Sequence, residues 1–164
     1  MNTFIKADFT QPAHATALTM LMNAYALDPM GGAEAIDPKV LAALPAQLAQ
    51  RDDTFSILAY ADGEPVGLAN CMIGFSTFAG RELVNVHDLV VLDSHRYQGL
   101  GKALLAEVEQ HALAIDACKV TLEVLQNNAP ARKAYADVGF VPYELAPGAG
   151  VAEFWQKKLN TNHK

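Results

Sequence analysis

The stretch from Leu83 to Ala106, LVNVHDLVVLDSHRYQGLGKALLA, limits this chain more than any other segment. Leu89, Val90, Val91 and Leu92 form an unbroken apolar run, the signature of a strand covered on both faces. Arg96-Tyr97-Gln98-Gly99-Leu100-Gly101-Lys102 follows. Two glycines one residue apart let the backbone turn sharply and approach a ligand closely. Beyond them Leu100, Leu104, Leu105 and Val108 recur at helical spacing, with Glu107, Glu109 and Gln110 on the other side. A strand, a glycine turn and a helix N-terminus together make a cradle for an anion, because the first amides of the helix lack partners and its dipole is positive there.

Several anion-binding and catalytic signatures are absent. A P-loop needs glycine where Arg96 stands and Ser or Thr where Ala103 stands. The dinucleotide fingerprint needs a third glycine at Leu104. Neither a G-x-S-x-G elbow nor H-E-x-x-H occurs. The net charge of −6 argues against nucleic acid as a partner. Hydrophobic residues at 51% against 18% charged are those of a folded globular chain, and 164 residues suffice for one core. The expectation is a single domain over residues 1–160 with a flexible tail at 161–164. No apolar run reaches membrane-span length, and MNTFIKADFT has no basic start followed by an apolar stretch, so a cytoplasmic location without a membrane partner is expected. Cys71 and Cys118 read as separate reduced thiols; with no CxxC or Cys/His cluster, no metal is expected.

In chain order, Thr3 to Ala7 reads as a first strand. Thr10 is placed to cap a helix whose apolar face is Leu18, Leu21, Met22 and Tyr25. Asp28-Pro29-Met30-Gly31-Gly32 ends it. A second helix follows Asp37-Pro38, with a kink or break expected at Pro45. Thr54–Ala61 and Pro65–Phe75 read as a hairpin turning at Asp62-Gly63. Lys119–Val124 alternates as a fifth strand, Asn128 opens a helix that Gly139 closes, and Phe140–Leu145 and Val151–Leu159 read as a sixth and a seventh strand. Consecutive strands, then strands alternating with helices, predict an α/β (α+β) mixed sheet covered on both faces.

Arg96-x-x-Gly99-x-Gly101, preceded by Asp88-Leu89-Val90-Val91, resembles the acetyl-CoA motif of the GNAT N-acetyltransferase superfamily. Asn128-x-x-Ala131-x-x-x-Tyr135-x-x-x-Gly139-Phe140 resembles its second signature, in the same order and at the same separation. The resemblance runs nearly the whole length of the chain. It implies a strongly twisted, mixed seven-stranded sheet splayed between strands 4 and 5 and flanked by about four helices. It further implies that the backbone of Leu89, Val90 and Val91 pairs with the pantetheine arm of acetyl-CoA. Arg96 and the turn Tyr97, Gln98, Gly99, Leu100, Gly101 and Lys102 then hold the pyrophosphate. Asn128 binds pantetheine or caps its helix, and Lys133, like Lys102, either reaches the cofactor or is a solvated helix lysine. Pairing of exposed strands into a homodimer is common in that superfamily.

The implied reaction is attack of a primary amine on the thioester carbonyl, without a covalent enzyme intermediate. An amine arrives mostly protonated, so a base must act. The fourth strand offers His87 and Asp88, directly or through water; either is alternatively structural. Neighbouring strand residues alternate faces, so both reach one site only if a bulge intervenes. Asn70 and Glu123 are secondary candidates. The oxyanion is assigned an amide near Leu89 or Val90, and Tyr135 stands where the superfamily commonly has a tyrosine facing the sulfur, which implies that it protonates or otherwise stabilises the leaving thiolate; the alternative is a core aromatic on a helical stripe. The acceptor loops are implied to be Asp28–Ile36 and Ala146–Gly150, with Asp28 and Glu34 attracting an ammonium group and Tyr25, Met30, Phe75 and Trp155 supplying apolar walls. GFSTF, HDL and EFWQKKL are similar to the diamine and thialysine acetyltransferase branch, which has Glu where His87 stands. The expected substrate is a small-molecule amine, polyamine or amino-acid-like compound. The alternatives are a protein N-terminus or lysine, or a non-catalytic acyl-CoA sensor.

Overall fold

Asp62 and Gly63 both take positive φ, +50° and +89°, the backbone of a type I′ turn that matches the twist of paired strands. They join β2 (Thr54–Ala61) to β3 (Glu64–Ser76) in the computed structural model, which describes residues 1–159. β1 (Asn2–Lys6) pairs with β2 on one side, and β4 (Arg81–Val91) pairs with β3 on the other, all antiparallel. β5 (Val120–Leu122) then pairs parallel with β4. The sheet order is β1-β2-β3-β4-β5, so chain neighbours are sheet neighbours throughout. The tail expected at 161–164 lies outside the described residues.

Strand alternation builds two cores. On one face Phe55, Ile57, Ala69, Cys71, Val84 and Val86 meet the apolar stripe of α3 (Leu100–Ala114). On the other, Leu58, Leu68 and Val90 meet Ala17, Leu18 and Leu21 of α1 (Pro12–Leu27), with Leu44 and Leu48 of α2 (Pro38–Ala49) at the margin. Gly67 permits the closeness of α3: a Cβ there would lie 3.1 Å from Leu104 Cδ1 and 3.1 Å from the Val90 carbonyl oxygen. Leu104 is fully buried. A 3₁₀ turn at Asp93–His95 leads from β4 toward α3, and α4 (Ala129–Asp137) follows β5. Gly139, at φ +98°, stands just past the end of α4. Among the described residues, no helix is long and apolar enough to cross a membrane.

Three sequence expectations are corrected. Among the described residues the sheet has five strands, not seven, and segments 140–145 and 151–159 make only the single bridge Glu144–Val151. Apart from Phe140, which packs against the α3-side core, their apolar side chains lie in solvent (Trp155 is 83% exposed), so the alternation there has no facing surface to bury it. Pro45 does not break α2, which runs through it with the ring buried. Thr10 does not cap α1; its amide and hydroxyl both donate to Asp8 Oδ1, and Gln11 takes the N-cap position without a side-chain bond.

Candidate active site

The register between β3 and β4 shifts at the point where the sequence posed its question. Asn70 faces Asp88 and Cys71 faces Val86, so His87 is an extra residue with no partner on β3. This bulge brings His87 and Asp88 together to the wall of one cavity. Asp88 is held from β3: Asn70 Nδ2 donates to Asp88 Oδ2 at 3.0 Å, and Asn70 Oδ1 accepts from the Ser56 hydroxyl at 2.6 Å. Ser56 and Asn70 are the buried polar residues of the described core. Asn70 was a secondary candidate from the sequence; Ser56 was missed, although each interrupts an otherwise apolar strand, in Phe55-Ser56-Ile57 and Ala69-Asn70-Cys71. Cys71 lines the same cavity. Burial, and secondarily the Asp88 carboxylate, push its thiol up to about 12.

Beyond the bulge, β4 has an open edge. Its pairing with β5 ends at Val86–Leu122, whereas its pairing with β3 continues to Val91. Leu92 donates its amide to the Val66 carbonyl on β3. By strand alternation Val90 also turns its backbone toward β3, while Leu89 and Val91 turn theirs to the open side. Of the three residues expected to offer backbone groups there, the structure therefore presents Leu89 and Val91. The Val91 carbonyl is already taken by Arg96 Nε at 3.0 Å.

The turn that follows is shaped as a cradle. Tyr97 and Gly99 take positive φ, +62° and +83°, and the helix starts at Leu100. The amides of Tyr97, Gln98, Gly99, Leu100, Gly101 and Lys102 donate to no acceptor among the described residues; the first bond of the helix is Ala103 to the Gly99 carbonyl. A run of free amides at a helix N-terminus is the donor set for an anion such as a pyrophosphate. At Gly101 an added Cβ would meet only Val91 Cγ2, at 3.9 Å. The residues present thus fit the phosphates of a CoA thioester.

Two partly buried tyrosines pack against the two cores, Tyr135 on the α3 side and Tyr25 on the α1 side. Tyr135, on α4, packs against the α3-side core with its ring edge-on to Phe140, centroids 6.1 Å apart. Burial, with a smaller contribution from neighbouring Tyr25, pushes its hydroxyl up to about 12. Tyr25 on α1 is also raised, by burial first and then by the carboxylates of Asp88 and Asp28.

The remaining predicted residues are placed less simply. Asp28 is in an ion pair: its Oδ2 accepts from Arg96 at 2.7 Å and its Oδ1 from the Met30 amide at 2.7 Å. These bonds, the arginine's first, hold its carboxyl below the usual range. Glu34 lies exposed on the loop after α1. Phe75 is 60% exposed and lies about 16 Å along β3 from Asn70, at ~3.3 Å per residue. The structure does not bring Phe75 to the cavity. Lys102 and Lys133 both grip Asp137, at 2.7 and 3.1 Å, tying α3 to α4. Asn128 caps α4, its Oδ1 accepting from the Ala131 amide at 3.2 Å. Glu123, exposed, accepts from Asn85.

The model of the acetyltransferase (GNAT) family matches residues 18–140. An uncharacterized N-acetyltransferase of Archaeoglobus fulgidus is 33% identical over 90 residues, which cover 54% of this chain and 61% of that protein. The match therefore spans less than two thirds of the curated relative. Among solved structures, a probable acetyltransferase superposes with a TM-score of 0.77 at 19% identity, over 94% of this chain and 99% of that one. An aminoglycoside N-acetyltransferase in complex with CoA gives 0.73 at 20% identity, over 97% and 96%. A ribosomal-protein-alanine N-acetyltransferase of Brucella melitensis biovar Abortus 2308 gives 0.69 at 18%, over 97% and 98%. At such identities these structures are alike in fold.

Proposed function

The chain belongs to the acetyltransferase (GNAT) family, and on that footing we propose that it transfers an acetyl group from acetyl-CoA directly to the primary amine of a small molecule. The observation that carries the reading is the run of free amides from Tyr97 to Lys102, set beside the open edge of β4 at Leu89 and Val91. When bound, acetyl-CoA supplies the carbonyl carbon that the amine nitrogen attacks and the sulfur that departs as the new C–N bond forms. The cradle amides neutralise the phosphates, and the Leu89 amide at the open edge is the donor for the charge that develops on the carbonyl oxygen.

The protons are handled by this chain's own side chains. An amine with a pKa near 10 is about 0.1% neutral at neutral pH, so its proton must be removed at the site. Asp88, held in place by Asn70, orients the ammonium group. His87, exposed on the bulge beside it, accepts the proton directly or through water. Tyr135 stabilises the departing sulfur. With its hydroxyl at about 12 it is a weaker acid than a thiol at about 8.5, so it donates a hydrogen bond and keeps its proton. The high pKa of Cys71 leaves that thiol protonated and a poor nucleophile, which supports direct transfer over an acyl-enzyme.

The test is thiol release from acetyl-CoA with a panel of amines, amino acids and peptides, alongside calorimetric binding of acetyl-CoA. Turnover on small amines is expected. Turnover confined to peptides would assign the protein-modifying alternative, and tight acetyl-CoA binding without any turnover would assign a sensor. Absence of acetyl-CoA binding would overturn the proposal.

A further inference from the structure

The cavity beside Asp88 has a composition that speaks to what enters it. It holds about 230 Å³, below the roughly 300–1,000 Å³ of pockets for drug-sized ligands. Met22 from α1, Leu44 and Leu48 from α2 and Met72 from β3 form its walls. Its floor is the polar chain Ser56–Asn70–Asp88. Within that chain the Asn70 carbonyl and one Asp88 oxygen are satisfied, because Ser56 donates to Asn70 and Asn70 donates to Asp88 Oδ2. Asn70 Nδ2 also lies 3.2 Å from Met22 Sδ. Asp88 Oδ1 accepts from no side chain or amide among the described residues. The floor therefore offers one carboxylate oxygen to a chamber whose other lining, apart from Thr54, Cys71 and His87, is methionine and leucine.

The other acids expected to attract a cationic substrate do not add to that charge. Asp28 is neutralised by Arg96, and Glu34 is exposed outside the chamber. A substrate with a second ammonium group would leave that charge against methionine and leucine side chains with no counter-ion. A monoamine satisfies Asp88 with its one charge and covers the walls with hydrocarbon.

We infer that this chamber is the acceptor pocket and that it selects a compact primary amine with a single positive charge and an apolar body, rather than a polyamine or an aminoglycoside. The inference rests on the acetyl-transfer reading for the fate of the amine and not for its binding.

Calorimetry of the full chain with 2-phenylethylamine, the neutral 2-phenylethanol, spermidine and kanamycin measures binding; thiol release from acetyl-CoA with the same amines measures turnover. The expected result is that phenylethylamine binds at least tenfold tighter than the alcohol and exceeds spermidine and kanamycin at least tenfold in kcat/KM. In Asp88→Asn the preference for amine over alcohol disappears. Met72→Glu puts a second carboxylate on a wall at a position 42% exposed, and shifts the ratio of kcat/KM at least tenfold toward spermidine, a gain that misfolding cannot imitate. Equal binding of amine and alcohol, or a wild-type preference for spermidine or kanamycin, would overturn the inference while leaving acetyl transfer standing. Binding of phenylethylamine without thiol release from any amine would uphold the pocket and remove acetyl transfer. Failure of the compact amine both to bind and to react would sink the inference.

Discussion

Arg96 and Asp28, far apart in the chain, meet at 2.7 Å and tie the glycine turn that follows β4 to the loop that follows α1. The same guanidinium reaches the Val91 carbonyl and Asp93. One arginine thus fixes the end of the open strand and the entry to the acceptor loop together.

Asp28→Asn is expected to lower stability by about 1 kcal/mol or less, since the arginine is partly exposed and the pair is screened. The pH sense follows from the lowered carboxyl of Asp28. Its contribution is complete above the ordinary carboxylate value near 3.9 and is lost as pH falls through the lower folded-state value. Thermal melts of wild type and variant should therefore differ at neutral pH and converge in acid, and a constant difference across that range would refute the assignment.

Tyr135→Phe removes a hydroxyl that stays protonated throughout the working range. A drop in kcat of about tenfold to a hundredfold is expected, the loss of one hydrogen bond to a developing anion, with KM for acetyl-CoA little changed. The pH profile should keep its shape, because nothing at Tyr135 titrates below about 12. A profile that loses a limb in the variant would mean that Tyr135 passes a proton.

The two cradle glycines are expected to respond differently. Gly99 sits at φ +83°, where a side chain is strained; Gly99→Val should cost about 1–2 kcal/mol and weaken acetyl-CoA binding with it. Gly101 lies within α3 with room for a Cβ. Gly101→Ala should add up to about 1 kcal/mol of stability through helix propensity and so raise Tm, while weakening acetyl-CoA binding by crowding the side that faces Val91. Calorimetry and melting curves on the pair would separate the two roles.

Gly31→Ala is expected to be the most disruptive glycine change in the acceptor loop. A Cβ there would lie 1.9 Å from the Tyr25 carbonyl oxygen, so the loop must move. Such overpacking costs about 1–3 kcal/mol, and Tyr25 loses the cover that helps raise its pKa. A spectrophotometric tyrosine titration and a melt would report both effects.

Much of the frame was legible because local chemistry dictates it. Asp62-Gly63 sets a turn that only paired strands continue, and the stripe Leu100, Leu104, Leu105, Val108 has one amphipathic solution. The bulge was legible as a condition, since adjacent His87 and Asp88 share a site in no other way. The sixth and seventh strands were misjudged because alternation describes a side-chain pattern, and a strand also needs a neighbour. The free state of Asp28 was misjudged because its partner, Arg96, comes from a distant turn. Ser56 and Asn70 are joined only by the register of β2 against β3, which no local pattern encodes.

The chain-ordered sheet has a kinetic consequence. β2 through β4 close through short turns between consecutive strands, whereas β5 can dock only after the whole of α3 has crossed back over the sheet, and β1 reaches β2 only across α1 and α2. Loops of that length close late. The meander β2–β3–β4 that carries Ser56, Asn70 and Asp88 is thus set to form first, and the cradle-bearing half joins it later. In hydrogen exchange the amides of β2 and β3 should be the slowest, those of β5 and α4 the fastest among the regular elements. Ligand at the cradle should slow the second group selectively.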